Sequence, residues 1–248
     1  ITAAGSAALA RLRPWATETS EEMTLTKLHK RLISGFILAP VVLGILVLDG
    51  FLLLGLLVFT FGVSLFEWWR MAAAGDHRVK DSAIGFVYLG VSFASFYFLR
   101  IHFEEGLFLS LALFLSVWAS DTGAYLAGKV FNGPKMLPAV SPNKTWAGLG
   151  GAMFFCALML LFCFYAARFF PVDFEMSLAD YVFLAGAGAL FGVLGQGGDL
   201  LISAFKRRIG VKDTGGIIPG HGGLLDRIDA LLLVCPCFVL VMWVWMVS

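Results

Sequence analysis

The sequence predicts an all-α fold: a polytopic membrane helix bundle of about seven transmembrane helices, with its active site at the cytoplasmic face. Three observations carry that reading. Of 248 residues, 59% are hydrophobic and only 14% are charged, whereas soluble domains run near 25% charged. Apolar stretches of bilayer-crossing length alternate with short polar loops from residue 32 onward. The basic residues fall almost entirely in every second loop.

Residues 1–22 are polar and Ala-rich and read as a tail or extension outside the membrane, with Met23 as an alternative start. Residues 23–248 read as one integral membrane domain, without internal repeat or low-complexity linker. A spanning helix needs roughly 17–25 mostly apolar residues. Seven stretches qualify: 32–48, 51–69, 83–99, 107–127, 146–170, 180–202 and 229–247. Only Asp49 and Gly50 separate the first two, which predicts a tight hairpin. Counts of eight or nine stay open, since 107–127 can break near Ser120.

Seven spans place all of the 18 basic residues except Arg100 and Arg168 on the side of the N-terminal tail. By the positive-inside bias that side is cytoplasmic. The net charge of +1 says nothing about nucleic acid, and no basic run resembles a binding arm, so no nucleic-acid partner is expected. All four cysteines lie in apolar stretches, and Cys235 and Cys237 flank Pro236, the wrong spacing for a zinc or redox pair.

Two segments of the basic side are dense in functional residue types. In the first, Asp226 and Asp229 stand three apart at the start of the last span, so both carboxylates share a helical face. Paired acids beside cations suit Mg²⁺, which takes oxygen ligands and keeps substrate phosphates in its shell. Ser203, Lys206, Arg207 and Gly210 follow helical spacing at the end of the sixth span. Gly215, Gly216, Gly220, Gly222 and Gly223 give a backbone that can approach a polyphosphate closely. Taken singly, Lys206-Arg207-Arg208 would be an ordinary positive-inside cluster and the two acids mere helix-dipole partners. Their concentration in one short run is what points to chemistry.

In the second segment, Asp121 sits close to a membrane boundary, where an acid is a functional candidate by default. Ser141, Lys144 and Thr145 stand where a loop enters the fifth span, whose N–H groups favour an anion. Asp199, in Gly197-Gly198-Asp199-Leu200, is a further acid near the same edge. Asp121, Asp199, Asp226 and Asp229 are therefore expected to converge from three helices.

The run from Ser203 to Asp229 resembles the hallmark of the phosphatidate cytidylyltransferase (CDP-diacylglycerol synthase) family. Ser203, Lys206, Arg207, Lys212, Asp213, His221, Gly222, Gly223, Asp226, Arg227 and Asp229 fill its fixed positions. Upstream, Asp121-Thr-Gly-Ala-Tyr125 and Ser141-Pro-Asn-Lys144-Thr145 are similar to two further family elements. Residues 24–100 match only as apolar helices with an interfacial Glu67-Trp68-Trp69, and Ile202 stands where relatives often carry Glu.

The resemblance implies CTP plus phosphatidate giving CDP-diacylglycerol plus pyrophosphate, in a bacterial-type inner membrane. It implies Asp226, Asp229, Lys206, Arg207 and Lys212 as catalytic. Ser141, Lys144, Thr145, Ser203, Asp213, His221, Gly222, Gly223 and Arg227 would bind substrate. Asp121, Asp199, Asp226 and Asp229 would hold Mg²⁺, either as two divalent ions or with a second, different cation. Membrane lipid is the surrounding partner, and a homodimer is one arrangement left open. Two other readings are a CTP-dependent polyprenol or lipid-alcohol kinase and an ion-coupled transporter. The transporter fits less well, because transporters keep their acids near the midplane and often show repeated halves.

Overall fold

The computed structural model describes residues 50–170, 172, 174–217 and 222–247, together with Gly44 and Val47. The expected tail, the expected first span apart from Gly44 and Val47, Gly220 and His221 lie outside the described residues. Among the described residues, six helices are long and apolar enough to cross a membrane. They are α1 (Phe51–Ala73), α2 (Arg78–His102), α3 (Gly106–Phe131), α4 (Trp146–Ala166), α5 (Leu178–Ile209) and α6 (Leu225–Val247). All six of the expected spans within the described residues are present, and the chain is an integral membrane protein.

Helix ends follow local chemistry. Ser177 and Asp180 form a reciprocal capping box at the start of α5. The Thr145 hydroxyl accepts the Gly148 N–H at 3.0 Å and caps α4. Gly210, at φ +80°, closes α5 in the left-handed conformation that glycine adopts without strain. That stop comes at Ile209, seven residues beyond the expected end, so α5 carries its last turns and their cations past the apolar stretch. α3 runs unbroken through Ser120. One element is new to a purely helical expectation: a two-stranded antiparallel hairpin, β1 (Lys135–Leu137) with β2 (Ser141–Thr145).

α3, α4 and α5 pack in succession, and α6 packs on α5 and α2. Lipid tails are as apolar as the side chains, so close helix approach relies on small residues rather than on expelling water. A Cβ on Gly198 would lie 2.6 Å from the carbonyl of Asp229. α5 and α6 therefore touch backbone to backbone where two of the candidate acids emerge. Leu109, Leu160, Leu184 and Phe238 fill the larger core, while Trp68, Ile202 and Leu225 anchor a second. Outward-facing side chains such as Phe154 and Leu240 remain apolar and exposed, as a lipid-facing surface requires.

The helices alternate, so the α1–α2 turn, the β-hairpin and residues 210–217 and 222–224 share one end of the bundle. Arg208 pairs with Asp81 there at 2.6 Å, tying α5 to α2.

Candidate functional site

The basic end of the bundle holds two linked polar networks. The first is built on Asp226. Its Oδ1 accepts from Lys206 Nζ at 2.6 Å, and both side chains are 10% exposed. Its Oδ2 accepts from the Thr214 N–H at 3.0 Å, the Thr214 hydroxyl at 3.1 Å and the Gly223 N–H at 3.1 Å. Asp226 thus fastens the loop between α5 and α6 at both of its ends. An ion pair this enclosed needs its remaining lone pairs satisfied to offset desolvation, and three donors do that.

Glu67 of α1 completes the same network from beneath. It is fully buried. Its carboxylate accepts from Leu224 N–H at 3.0 Å and Leu225 N–H at 2.9 Å, and the Thr214 hydroxyl, 3.2 Å away, has one proton to give either to Glu67 or to Asp226. The first N–H groups of α6 have no partner within the helix, so an acid from another helix caps them. Two glycines make room: a Cβ on Gly215 or Gly223 would collide with the Glu67 carboxylate. The sequence reading placed Glu67 at an interface and did not single it out. The usable signal was an acid inside the basic end of an apolar span.

The second network is built on Asp199. Lys144 reaches from β2 to Asp199 Oδ2 at 2.7 Å and to Gln196 Oε1 at 2.9 Å. Gln196 turns its Nε2 toward Asp121 Oδ1 at 3.4 Å, and Ser203 donates to Asp199 Oδ1 at 3.2 Å. Asp121 is exposed, and the Asp199 side chain is 36% exposed. Asp229 is half-buried and lies within electrostatic reach of Asp199, Asp121 and Lys206. Among the described residues its carboxylate takes one hydrogen bond, from the Ala230 N–H at 2.9 Å.

The candidates therefore sort by company. Asp121, Asp199 and Asp229 converge from α3, α5 and α6, with Lys144, Ser203 and Lys206 among them. Asp226 shares Lys206 with Asp229, but its oxygens are occupied by the protein. Thr145 is buried as a helix cap, and Ser141 is half-buried on β2. Arg207 is exposed and bonds the carbonyls of Val140 and Val211 at 3.3 and 3.2 Å, pinning the hairpin to the end of α5. Lys212, Asp213 and Arg227 are exposed on the rim, and Gly222 has φ +85°. Gln196 and Thr214 escaped the sequence reading because neither is charged.

Residues 75–245 match the cytidylyltransferase family. The chain belongs to that family. A Rickettsia typhi phosphatidate cytidylyltransferase is 32% identical over 212 residues, covering 85% of this chain and 90% of the relative. A Rickettsia conorii phosphatidate cytidylyltransferase is 33% identical over 84% of this chain and 88% of its own length. A Staphylococcus aureus phosphatidate cytidylyltransferase is 45% identical over 149 residues, 60% of this chain and 53% of the relative. The chain spans about half the length of the staphylococcal relatives it matches. The matched residues include both networks apart from Glu67, which lies N-terminal to them. The resemblance read from Ser203–Asp229 holds at the level of the family.

Proposed function

We propose that the chain transfers the cytidylyl group of CTP to phosphatidate, giving CDP-diacylglycerol and pyrophosphate, at the cytoplasmic face of a bacterial-type inner membrane. The observation that carries this is the convergence of Asp121, Asp199 and Asp229, with Lys144 and Lys206, at the basic end of a cytidylyltransferase-family bundle. The names of the rickettsial and staphylococcal relatives support the substrate pair.

A phosphate oxygen of phosphatidate attacks the α-phosphorus of CTP, a new P–O–P linkage forms, and the bond to the β-phosphate oxygen breaks as pyrophosphate leaves. The nucleophile is already ionised, so no general base is required. Catalysis is then mainly positioning and neutralisation of charge. Arg207, Lys212 and Arg227 on the rim would meet the polyphosphate, and Lys144 and Lys206 would face the reacting phosphates. Ser141, Ser203, Asp213, His221 and the Gly222-Gly223 turn complete the substrate-binding set. Thr145 contributes by fixing where the hairpin enters α4.

Among the described residues no three His, Cys, Asp or Glu side chains form a ready-made metal cage. Mg²⁺ does not require such a cage, since it is commonly held by one or two carboxylates plus substrate phosphates and water. Asp199 and Asp229, with Asp121 nearby, would hold it, and Asp226 would serve as the anchor of Lys206 and the loop. A bound divalent ion supplies charge neutralisation at the phosphates.

Purified protein incubated with phosphatidate, Mg²⁺ and CTP labelled at either phosphate tests the proposal. Label from the α-phosphate should enter lipid. Entry of γ-label would instead identify a lipid kinase.

A further inference from the structure

We infer that the groove between α2 and α6, which Tyr88 lines, seats an acyl chain of the lipid substrate; this rests on the function proposed above. The groove is open along one side and has a volume of about 640 Å³, within the roughly 300–1,000 Å³ of small-molecule sites. Ile84, Val87 and Val91 line it from one stripe of α2, and Leu233, Pro236 and Cys237 line it from α6. The three α2 side chains are half exposed or more, so the groove opens sideways toward lipid.

Its wall is sealed against backbone polarity. Pro236 has no N–H to give the carbonyl of Leu232, four residues earlier, and the Ser92 hydroxyl donates to that carbonyl at 2.6 Å instead. A wall without free polar backbone suits a hydrocarbon chain. A peptide segment laid there would leave its own N–H and C=O groups unsatisfied.

Tyr88 links the groove to the acids. It lines the groove, and its buried hydroxyl has no hydrogen-bond partner among the described residues. It also lies within electrostatic reach of Asp229. A chain lying along Ile84, Val87 and Val91 would thus bring its glycerol ester and phosphate oxygens to a waiting donor beside the reaction site.

Full-length protein bearing Val87→Trp or Cys237→Trp should be assayed with dioleoyl and with dihexanoyl phosphatidate, using α-labelled CTP. Filling the groove should lower kcat/KM for the dioleoyl lipid about ten-fold or more, leaving the short-chain lipid within about two-fold. Activity on the short-chain lipid doubles as the check on folding. Tyr88→Phe should raise KM for both lipids with KM for CTP unchanged. Equal losses for both lipids in the Trp variants, or no loss for either, would overturn the inference. A phosphatidate carrying a diazirine on one acyl chain should label Ala83–Val91 or Leu232–Cys237. Labelling confined to other segments would also overturn it, the groove then belonging to another occupant such as residues 32–48. Absence of any turnover by the unmodified protein would sink the proposed function, while the photolabel still reports on the groove.

Discussion

The Ser92 hydroxyl of α2 stands in for the backbone N–H that Pro236 lacks in α6. The acceptor is the Leu232 carbonyl, 2.6 Å away, and the same hydroxyl is 2.8 Å from the Tyr88 carbonyl of its own helix. A proline inside a spanning helix is tolerated when a neighbour satisfies the carbonyl it frees. Ser92→Ala should therefore destabilise the purified protein by about 1–3 kcal/mol, the cost of leaving a buried acceptor unmade. In a Pro236→Ala background the N–H returns, and the same substitution should cost much less. Thermal unfolding of the two singles and the double in one detergent measures the coupling; additive effects would refute the replacement.

Glu67 should behave as a structural acid. Its donors are the N–H groups of Leu224 and Leu225, with the Thr214 hydroxyl shared between it and Asp226, so Glu67→Gln turns an amide N–H₂ against at least one of them. A loss of roughly 1–3 kcal/mol in stability is expected from the broken set. Turnover should fall as well, because the same contacts fix the start of α6. Unfolding midpoint and activity should drop together, and an unchanged midpoint would show that the cap is dispensable.

Asp226 and Asp229 should fail differently when made neutral. Asp226→Asn leaves the buried Lys206 without its ion pair, and breaking such a pair costs about 3–5 kcal/mol. Asp229→Asn removes an acid from beside Asp199 and Asp121, so the fold should hold while turnover falls. A thousand-fold loss would correspond to about 4 kcal/mol of transition-state stabilisation. Raising Mg²⁺ should partly restore Asp229→Asn and leave Asp226→Asn unimproved. Equal responses of the two variants to Mg²⁺, with equal stability, would erase the distinction.

Orientation can be read at Lys212. Thr214 is only 4% exposed and hydrogen-bonded to both Asp226 and Glu67, whereas Lys212 is exposed on the same loop. In a variant lacking the native cysteines, Lys212→Cys should resist a membrane-impermeant thiol reagent in sealed cells and react after permeabilisation. Labelling in sealed cells would place the basic end outside.

The sequence by itself determined the positions of the six described spans, the gathering of cations at one end, and the family. These are one-dimensional properties: apolar length decides what crosses a bilayer, and loop charge is counted residue by residue. It also placed Asp226 and Asp229 on one face, since three residues on a helix return to nearly the same angle. Periodicity fixes that angle but not the neighbour met there. Only the tertiary structure decided that Asp226 faces Thr214 and Gly223 while Asp229 faces Asp199 and Asp121. Only it brought Glu67 to the N–H of Leu225, 158 positions along the chain. The physical reason is that a buried polar group must be paired. Which partner pairs with it depends on how the helices cross, and that is set by small-residue contacts such as Gly198 against Asp229, which a linear pattern does not reveal.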